Sequence, residues 1–151
     1  MAVNTVHIDR TPEQVFEVLA DGWKFTNWVV GTSHMRAVTA DWPAAGAKLH
    51  HAFGSWPVMR RDETVVDSVV PNERLELTAT GRPFGQARIV IELTASNGGC
   101  DVTMTETVVA GPLQAAHNRL TDLLLGKRNA ESLARFRALV ERPTEPVEGS
   151  R

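Results

Sequence analysis

The order of the predicted elements constrains this chain most: a strand, a short helix, a long run of strands, and one long C-terminal helix. Apolar and polar residues alternate from about Thr32 to Val109, whereas Leu113 to Glu141 has helical spacing. A long helix that follows an antiparallel sheet can bury its apolar stripe only by lying across that sheet. Because a curved sheet clasping a helix leaves space between the layers, this order predicts a container for a small molecule.

Local signals define the individual elements. Val3 to Asp9 alternates as a strand, and Thr11-Pro12-Glu13-Gln14 has the residues of a capping box with an early proline, so a helix follows. A second short helix is predicted in the aromatic segment up to Trp28, and turn residues then divide the alternating region into six strands. We therefore predict an α+β fold: a seven-stranded antiparallel sheet curved around a long C-terminal helix, with two short helices after the first strand.

The C-terminal helix is predicted to be continuous. Gly111-Pro112 has the composition of a helix start, and Pro143 stops the helical pattern near Glu141. Residues 1–142 are therefore expected to form a single domain, and residues 143–151, rich in Pro, Glu and Gly-Ser, to form a disordered tail.

Composition argues against several classes of partner. The chain has 16 Lys and Arg against 18 Asp and Glu, a net charge of −2, and so no basic footprint for nucleic acid. The lone Cys100 cannot form an intramolecular disulfide, which fits a reducing compartment. No window approaches the ~20 apolar residues of a membrane span, and the start lacks a secretory pattern. We expect a soluble cytoplasmic protein; the oligomeric state is left open.

Alternation and helical spacing predict which side chains form the wall of the container. Aromatic residues in or beside turns are expected to line an entrance or to stack on a flat ligand. The predicted ligand-binding residues are Trp28, His51, Phe53, Trp56, Leu75, Ile89, Ile91, Met104, Glu106, His117, Leu120 and Leu124.

Glu106 is the first candidate for chemistry. It is in phase with Val102, Met104 and Val108, which places a carboxylate on the apolar face of its strand. Desolvation of that carboxylate would raise its pKa into a range useful for proton transfer. The alternative is a structural pair with an Arg or a backbone group at the rim, since buried charges are usually paired.

Two histidines are further candidates for proton transfer. His51 is expected to point inward with Leu49 and Phe53, and His117 is expected to hang over the container from the helix. Each is also explained by an ordinary role, His51 as a satisfied interior histidine and His117 on an exposed shoulder. No metal site is predicted, because adjacent His50 and His51 face opposite sides of a strand.

Around Arg60 to Thr64 the alternation does not assign faces, so either Arg60 or Asp62 could enter the container. No nucleophile elbow and no phosphate-binding loop occurs in the sequence. No cofactor is therefore expected.

Six strings of the sequence carry a resemblance to a known family. They are Thr11-Pro12-Glu13-Gln14-Val15-Phe16-Glu17-Val18-Leu19-Ala20-Asp21, Trp28-Val29-Val30-Gly31, Trp42-Pro43-Ala44-Ala45-Gly46, Leu49-His50-His51, Gly81-Arg82-Pro83 and Arg128-Asn129-Ala130-Glu131-Ser132-Leu133. With these strings the chain resembles the SRPBCC superfamily, also called START-like or Bet v 1-like, and within it the bacterial polyketide cyclase/dehydrase-like group. The resemblance spans about residues 3 to 141 and implies a helix-grip fold with an internal cavity. It carries over no catalytic residue.

Three functions follow from these expectations. The first is binding or transport of a small hydrophobic or aromatic molecule in the cavity. The alternative is a cofactor-independent enzyme of polyketide cyclase/dehydrase type, in which Glu106, His51 or His117 moves protons. A third is an interaction module with a filled core and an exposed apolar patch.

Overall fold

A computed structural model describes residues 1–55 and 57–143. Seven strands form one antiparallel sheet in the order β1-β7-β6-β5-β4-β3-β2, so the predicted strand number and pairing are confirmed. The strands are β1 (Ala2–Ile8), β2 (Thr32–Val38), β3 (Lys48–Ser55), β4 (Val58–Val70), β5 (Arg74–Gly81), β6 (Gly85–Ser96) and β7 (Gly99–Ala110).

The two short helices predicted after the first strand are α1 (Pro12–Leu19) and α2 (Phe25–Trp28), joined by one 3-10 turn at Gly22–Lys24. The capping box at the start of α1 is complete, because the Gln14 amide donates to Thr11 Oγ1 at 3.2 Å and the Thr11 amide donates to Gln14 Oε1 at 3.0 Å. These bonds satisfy backbone donors that the first helical turn leaves without partners.

The C-terminal helix differs from the prediction in its start. Gly111-Pro112 opens a separate single turn, α3 (Pro112–Ala115), and the long helix α4 (Arg119–Val140) begins after a break. Asn118 is the reason, because its backbone is extended and its Oδ1 accepts from the Thr121 amide at 3.0 Å. An N-cap of this kind starts a new helix with its own rotational phase, and α4 spans ~33 Å rather than the length of one continuous helix.

Close backbone contact fixes the position of α3. Gly85 and Gly111 both have positive φ, and a Cβ at Gly85 would lie 1.9 Å from the Ala110 carbonyl oxygen. Glycine is required where backbones approach this closely. The Leu113 amide donates to the Phe84 carbonyl at 3.3 Å, so α3 lies against the turn between β5 and β6.

The second half of α4 fills the core. Leu133, Phe136 and Val140 are buried, and the ring centroids of Phe136 and Trp28 are 5.0 Å apart. On the facing sheet, Leu75 and Ile91 are opposite each other and fully buried. These large side chains belong to one buried hydrophobic cluster, which fills the space between the sheet and the helix here.

Over residues 1–55 and 57–143, none of the helices has both the length and the apolar character required to cross a bilayer. The tail predicted at residues 143–151 lies, apart from Pro143, outside the described residues.

Candidate functional site

A pocket of about 160 Å³ lies between the sheet and the first half of α4. It exists at this end because small residues face one another across β5 and β6: Ala79 pairs with Ala87, and Gly81 pairs with Gly85. The wall is mostly apolar, and the apolar side chains are Phe25, Val29, Val30, Phe53, Ala79, Phe84, Ala87, Ile89, Val108, Leu113 and Leu125. The polar side chains in the wall are Thr32, His51, Asp62, Thr64, Thr80, Gln86, Glu106 and Arg128.

The structure brings some of the predicted wall residues together in this pocket. His51, Phe53, Ile89 and Glu106 lie in its lining. Their placement follows from strand alternation, because each lies on the strand face that points towards α4. Trp56 lies outside the described residues.

Four predicted wall residues lie in the packed core instead, and their assignment to the pocket wall is corrected. Trp28, Leu75, Ile91 and Met104 are all buried, but none of them lines the pocket. Leu75, Ile91 and Met104 are on the predicted inner face of their strands. Phe136 and its buried neighbours on α4 fill this half of the space between the sheet and the helix.

His117, Leu120 and Leu124 were also assigned to the wall, and this assignment is wrong. Leu120 and Leu124 are 61% and 59% exposed, and His117 Nε2 lies 3.3 Å from Asp122 Oδ2 outside the pocket. The break at Asn118 sets a different helical phase from the one that a continuous helix would have.

Leu125 and Arg128 occupy the inner face of α4 instead, and neither was predicted as a wall residue. A usable signal existed, because counting back from Phe136 in steps of three and four reaches Ser132, Asn129 and Leu125.

Glu106 is paired, which is the structural alternative predicted for it. Its side chain is buried, and its Oε2 accepts from Arg128 Nη2 at 2.5 Å and from Asn129 Nδ2 at 2.8 Å. Both donors are on α4, while Glu106 is on β7. The carboxylate therefore joins the sheet to the helix at the wall of the pocket, and charge-assisted bonds of this kind are among the stronger ones in proteins.

His51 has an unusual environment. Its side chain is 5% exposed, and its Nε2 lies 2.9 Å from Thr64 Oγ1. Its Nδ1 is buried and has no hydrogen-bond partner within the described part of the chain. Burial lowers the pKa of His51, and the nearby Asp62 opposes that effect. The imidazole is therefore neutral near pH 7 and carries one unused nitrogen.

Asp62 is directly opposite His51 on the neighbouring strand, and its side chain is also buried. Its Oδ1 accepts from the Arg82 amide at 3.3 Å. The sequence left open whether Arg60 or Asp62 points inward; Asp62 lines the pocket, and Arg60 is exposed. We call His51, Asp62 and Thr64 the polar corner of the pocket.

The two adjacent histidines face opposite sides of β3, as predicted. His50 Nδ1 lies 3.6 Å from Glu63 Oε2 on the outer face, while His51 is buried in the pocket wall. Across residues 1–55 and 57–143, no three His, Cys, Asp or Glu side chains are grouped so that they could hold a metal ion.

Removing Arg128 should destabilise the fold, because Glu106 would then remain buried with one donor fewer. We expect Arg128→Met to lower the free energy of unfolding by about 2 kcal/mol, and Glu106→Gln in the same chain to restore about half of that loss. The control is Arg135→Met on the same helix, whose exposed pair with Glu131 should contribute less than about 1 kcal/mol. Equal losses for the two arginine variants, measured by urea denaturation, would contradict the assignment.

The lowered pKa of His51 predicts a pH dependence of stability. In the unfolded chain His51 takes up a proton near its ordinary value of about 6.5, whereas in the folded chain it does so only at lower pH. Protonation of His51 therefore favours the unfolded chain, and the free energy of unfolding decreases as the pH falls below about 6.5. Between pH ~7.5 and ~5, the unfolding free energy of the wild type should fall more steeply than that of His51→Phe. Parallel curves of unfolding free energy against pH for the two proteins would refute this role of His51.

Comparison with solved structures supports the fold. Ara h 8.0201 superposes with a TM-score of 0.71 at 10% identity, covering 91% of this chain and 95% of the other. CV1439 from Chromobacterium violaceum has a TM-score of 0.66 at 19% identity, covering 95% and 100%. MLL2253 from Mesorhizobium loti has a TM-score of 0.69 at 16% identity, covering 95% and 98%. These similarities confirm the helix-grip architecture.

Sequence comparison identifies the family. No relative was found among curated proteins. Residues 2–141 match the family described as polyketide cyclase / dehydrase and lipid transport, and this range includes the whole stretch over which the sequence resembles SRPBCC proteins. The chain belongs to the polyketide cyclase/dehydrase and lipid transport family.

Proposed function

We propose that this protein binds a small apolar or aromatic molecule in the pocket between the sheet and α4. The observation that carries the proposal is a mostly apolar pocket of about 160 Å³ in the place where the fold clasps its helix. An apolar cavity of about 150 Å³ in another protein holds a benzene molecule, so a single ring is the matching size. The family description, which includes lipid transport, is consistent with a carrier of apolar molecules.

The site is suited to an apolar ligand because two of the three charged side chains in its wall neutralise each other, and the third, Asp62, lies at the polar corner. Arg128 and Glu106 neutralise each other, and the remaining wall on β5 and β6 carries small and branched apolar side chains such as Ala79 and Ile89. Moving an apolar ring from water into this space contributes roughly 25 cal/mol for each Å² removed from water.

Filling the pocket should abolish binding. Ala79→Phe places a ring in the space between β5 and α4, so we expect it to reduce ligand affinity by at least about tenfold while the chain still folds. The matched control is Leu124→Ser, which changes a side chain that is exposed and outside the pocket.

Native mass spectrometry of protein purified from its own host supplies the readout. The wild type and Leu124→Ser should retain a bound small molecule of the same mass, and Ala79→Phe should lose it. Retention of that molecule by Ala79→Phe would place the ligand elsewhere and would refute the proposal.

A second candidate is enzymatic proton transfer in the same pocket. The specific observation in its favour is the neutral, buried His51 with an unused Nδ1, since a base of this kind can accept a proton from a ligand carbon. Abstraction would move an α-proton to Nδ1 and leave an enolate on the ligand, and reprotonation would return both to their starting states. Cyclisation or dehydration of a polyketone begins with such a step.

Deuterium exchange tests this candidate separately from binding. Cyclohexanone has one ring and slowly exchanging α-hydrogens, so NMR in D₂O follows the reaction directly. An enzyme should accelerate the exchange by about 100-fold or more over buffer, and His51→Phe should remove the acceleration. A wild-type rate equal to that in buffer would exclude proton transfer on this probe and leave the binding proposal untouched.

A further inference from the structure

We propose that the polar corner recognises a hydroxyl group on a neutral, single-ring ligand. This inference rests on the binding function proposed above and specifies the chemistry of the ligand. It places the hydroxyl beside His51 and Asp62 on β3 and β4, and the ring against the apolar wall formed by β5, β6 and α4.

The unused nitrogen of His51 is the first argument. Nearly all buried polar atoms in folded proteins have a hydrogen-bond partner, and leaving one without a partner is costly. His51 is 5% exposed, and its Nδ1 has no partner among residues 1–55 and 57–143. Because His51 lines the pocket, a polar group of a ligand bound there is the candidate partner for this nitrogen.

The hydrogen bonding around His51 suits a ligand hydroxyl in either tautomer of the ring. A neutral imidazole has one N–H and one acceptor nitrogen, and the Thr64 hydroxyl can accept from Nε2 or donate to it. Nδ1 is accordingly an acceptor in one tautomer and a donor in the other. A ligand hydroxyl can pair with either form, whereas a carbonyl or ether oxygen pairs with only the N–H form.

Asp62 adds selectivity for a neutral donor. Its carboxylate faces the same pocket from the position opposite His51, and within the described residues its hydrogen-bond partner is the Arg82 amide. A donor on the ligand is attracted by this carboxylate. An anionic ligand group would be repelled by it, and Arg128, the basic residue in the wall, is already paired with Glu106.

A set of ligands of similar size tests the inference. Phenol and toluene differ by a hydroxyl in place of a methyl group, and benzoate adds a negative charge. Binding to ¹⁵N-labelled protein, followed by NMR titration near neutral pH, reports the Kd of each. We expect phenol to bind about tenfold more tightly than toluene, as one additional buried hydrogen bond implies, and benzoate to bind most weakly.

Two variants assign the effect to the polar corner. His51→Phe keeps a planar ring but removes the nitrogen, so the preference for phenol over toluene should disappear while toluene still binds. Asp62→Asn keeps the shape and removes the charge, so the discrimination against benzoate should shrink. Thermal unfolding monitored by circular dichroism verifies that each variant is folded.

The outcomes distinguish this inference from the proposed function. If toluene and phenol bind the wild type in the pocket with equal affinity, the hydroxyl site is refuted and the pocket remains a binding site. If His51→Phe retains the full preference for phenol, recognition does not involve the polar corner, and the inference is likewise refuted. If neither compound shifts resonances of pocket residues, both the pocket's function and its hydroxyl site are refuted.

Discussion

Buried Glu106 joins the sheet to the first half of α4 through hydrogen bonds with Arg128 and Asn129, and it does so at the wall of the pocket. At the other end of the helix, Phe136 and Leu133 make an apolar contact with the core. Between these two attachments the sheet and the helix are fixed at a distance that small side chains on β5 and β6 do not fill. A buried carboxylate is costly unless it is paired, which explains why two donors converge on one oxygen.

One half of the sheet is thus packed with large side chains, whereas the other half leaves an open volume. Leu75 and Ile91, which form one cross-strand pair, are fully buried in the same hydrophobic cluster as Phe136. A few residues further along these strands, Ala79 pairs with Ala87, and the volume that large side chains would occupy is empty. Interiors are otherwise packed to crystal-like density, so an opening of this size with a polar corner is a feature that a ligand can use.

Strand alternation and the order of elements were sufficient to predict the sheet, its seven strands and the inward direction of His51 and Glu106. Alternation works because a strand has a period of two, so one buried residue fixes the face of its neighbours. The helix was less predictable, since its phase depends on where it starts. A helix that starts at Gly111-Pro112 was expected to turn Leu120 and Leu124 towards the sheet. The helix starts instead at its N-cap Asn118, and this start determines which of its residues face the sheet.

Other properties of the site were not predictable from one sequence. Asp62 enters the pocket from a part of β4 where polar and apolar residues do not alternate, so alternation could not predict its direction. The donors to Glu106 come from a helix that is distant in sequence. Long-range side-chain pairs of this type are determined by tertiary packing, which spacing along the chain does not encode. The cavity's restriction to half of the helix likewise depends on which residues are small across neighbouring strands.

A crystal structure of the protein soaked with 4-bromophenol would show whether the pocket binds a ligand ring, because the anomalous signal of bromine locates the ligand without reference to the surrounding side chains. We expect a bromine peak in the apolar part of the pocket beside Ile89 and Leu125, with the phenol oxygen within hydrogen-bonding distance of His51 Nδ1. A pocket that is filled by side chains, or a bromine peak only outside the space between the sheet and α4, would contradict it.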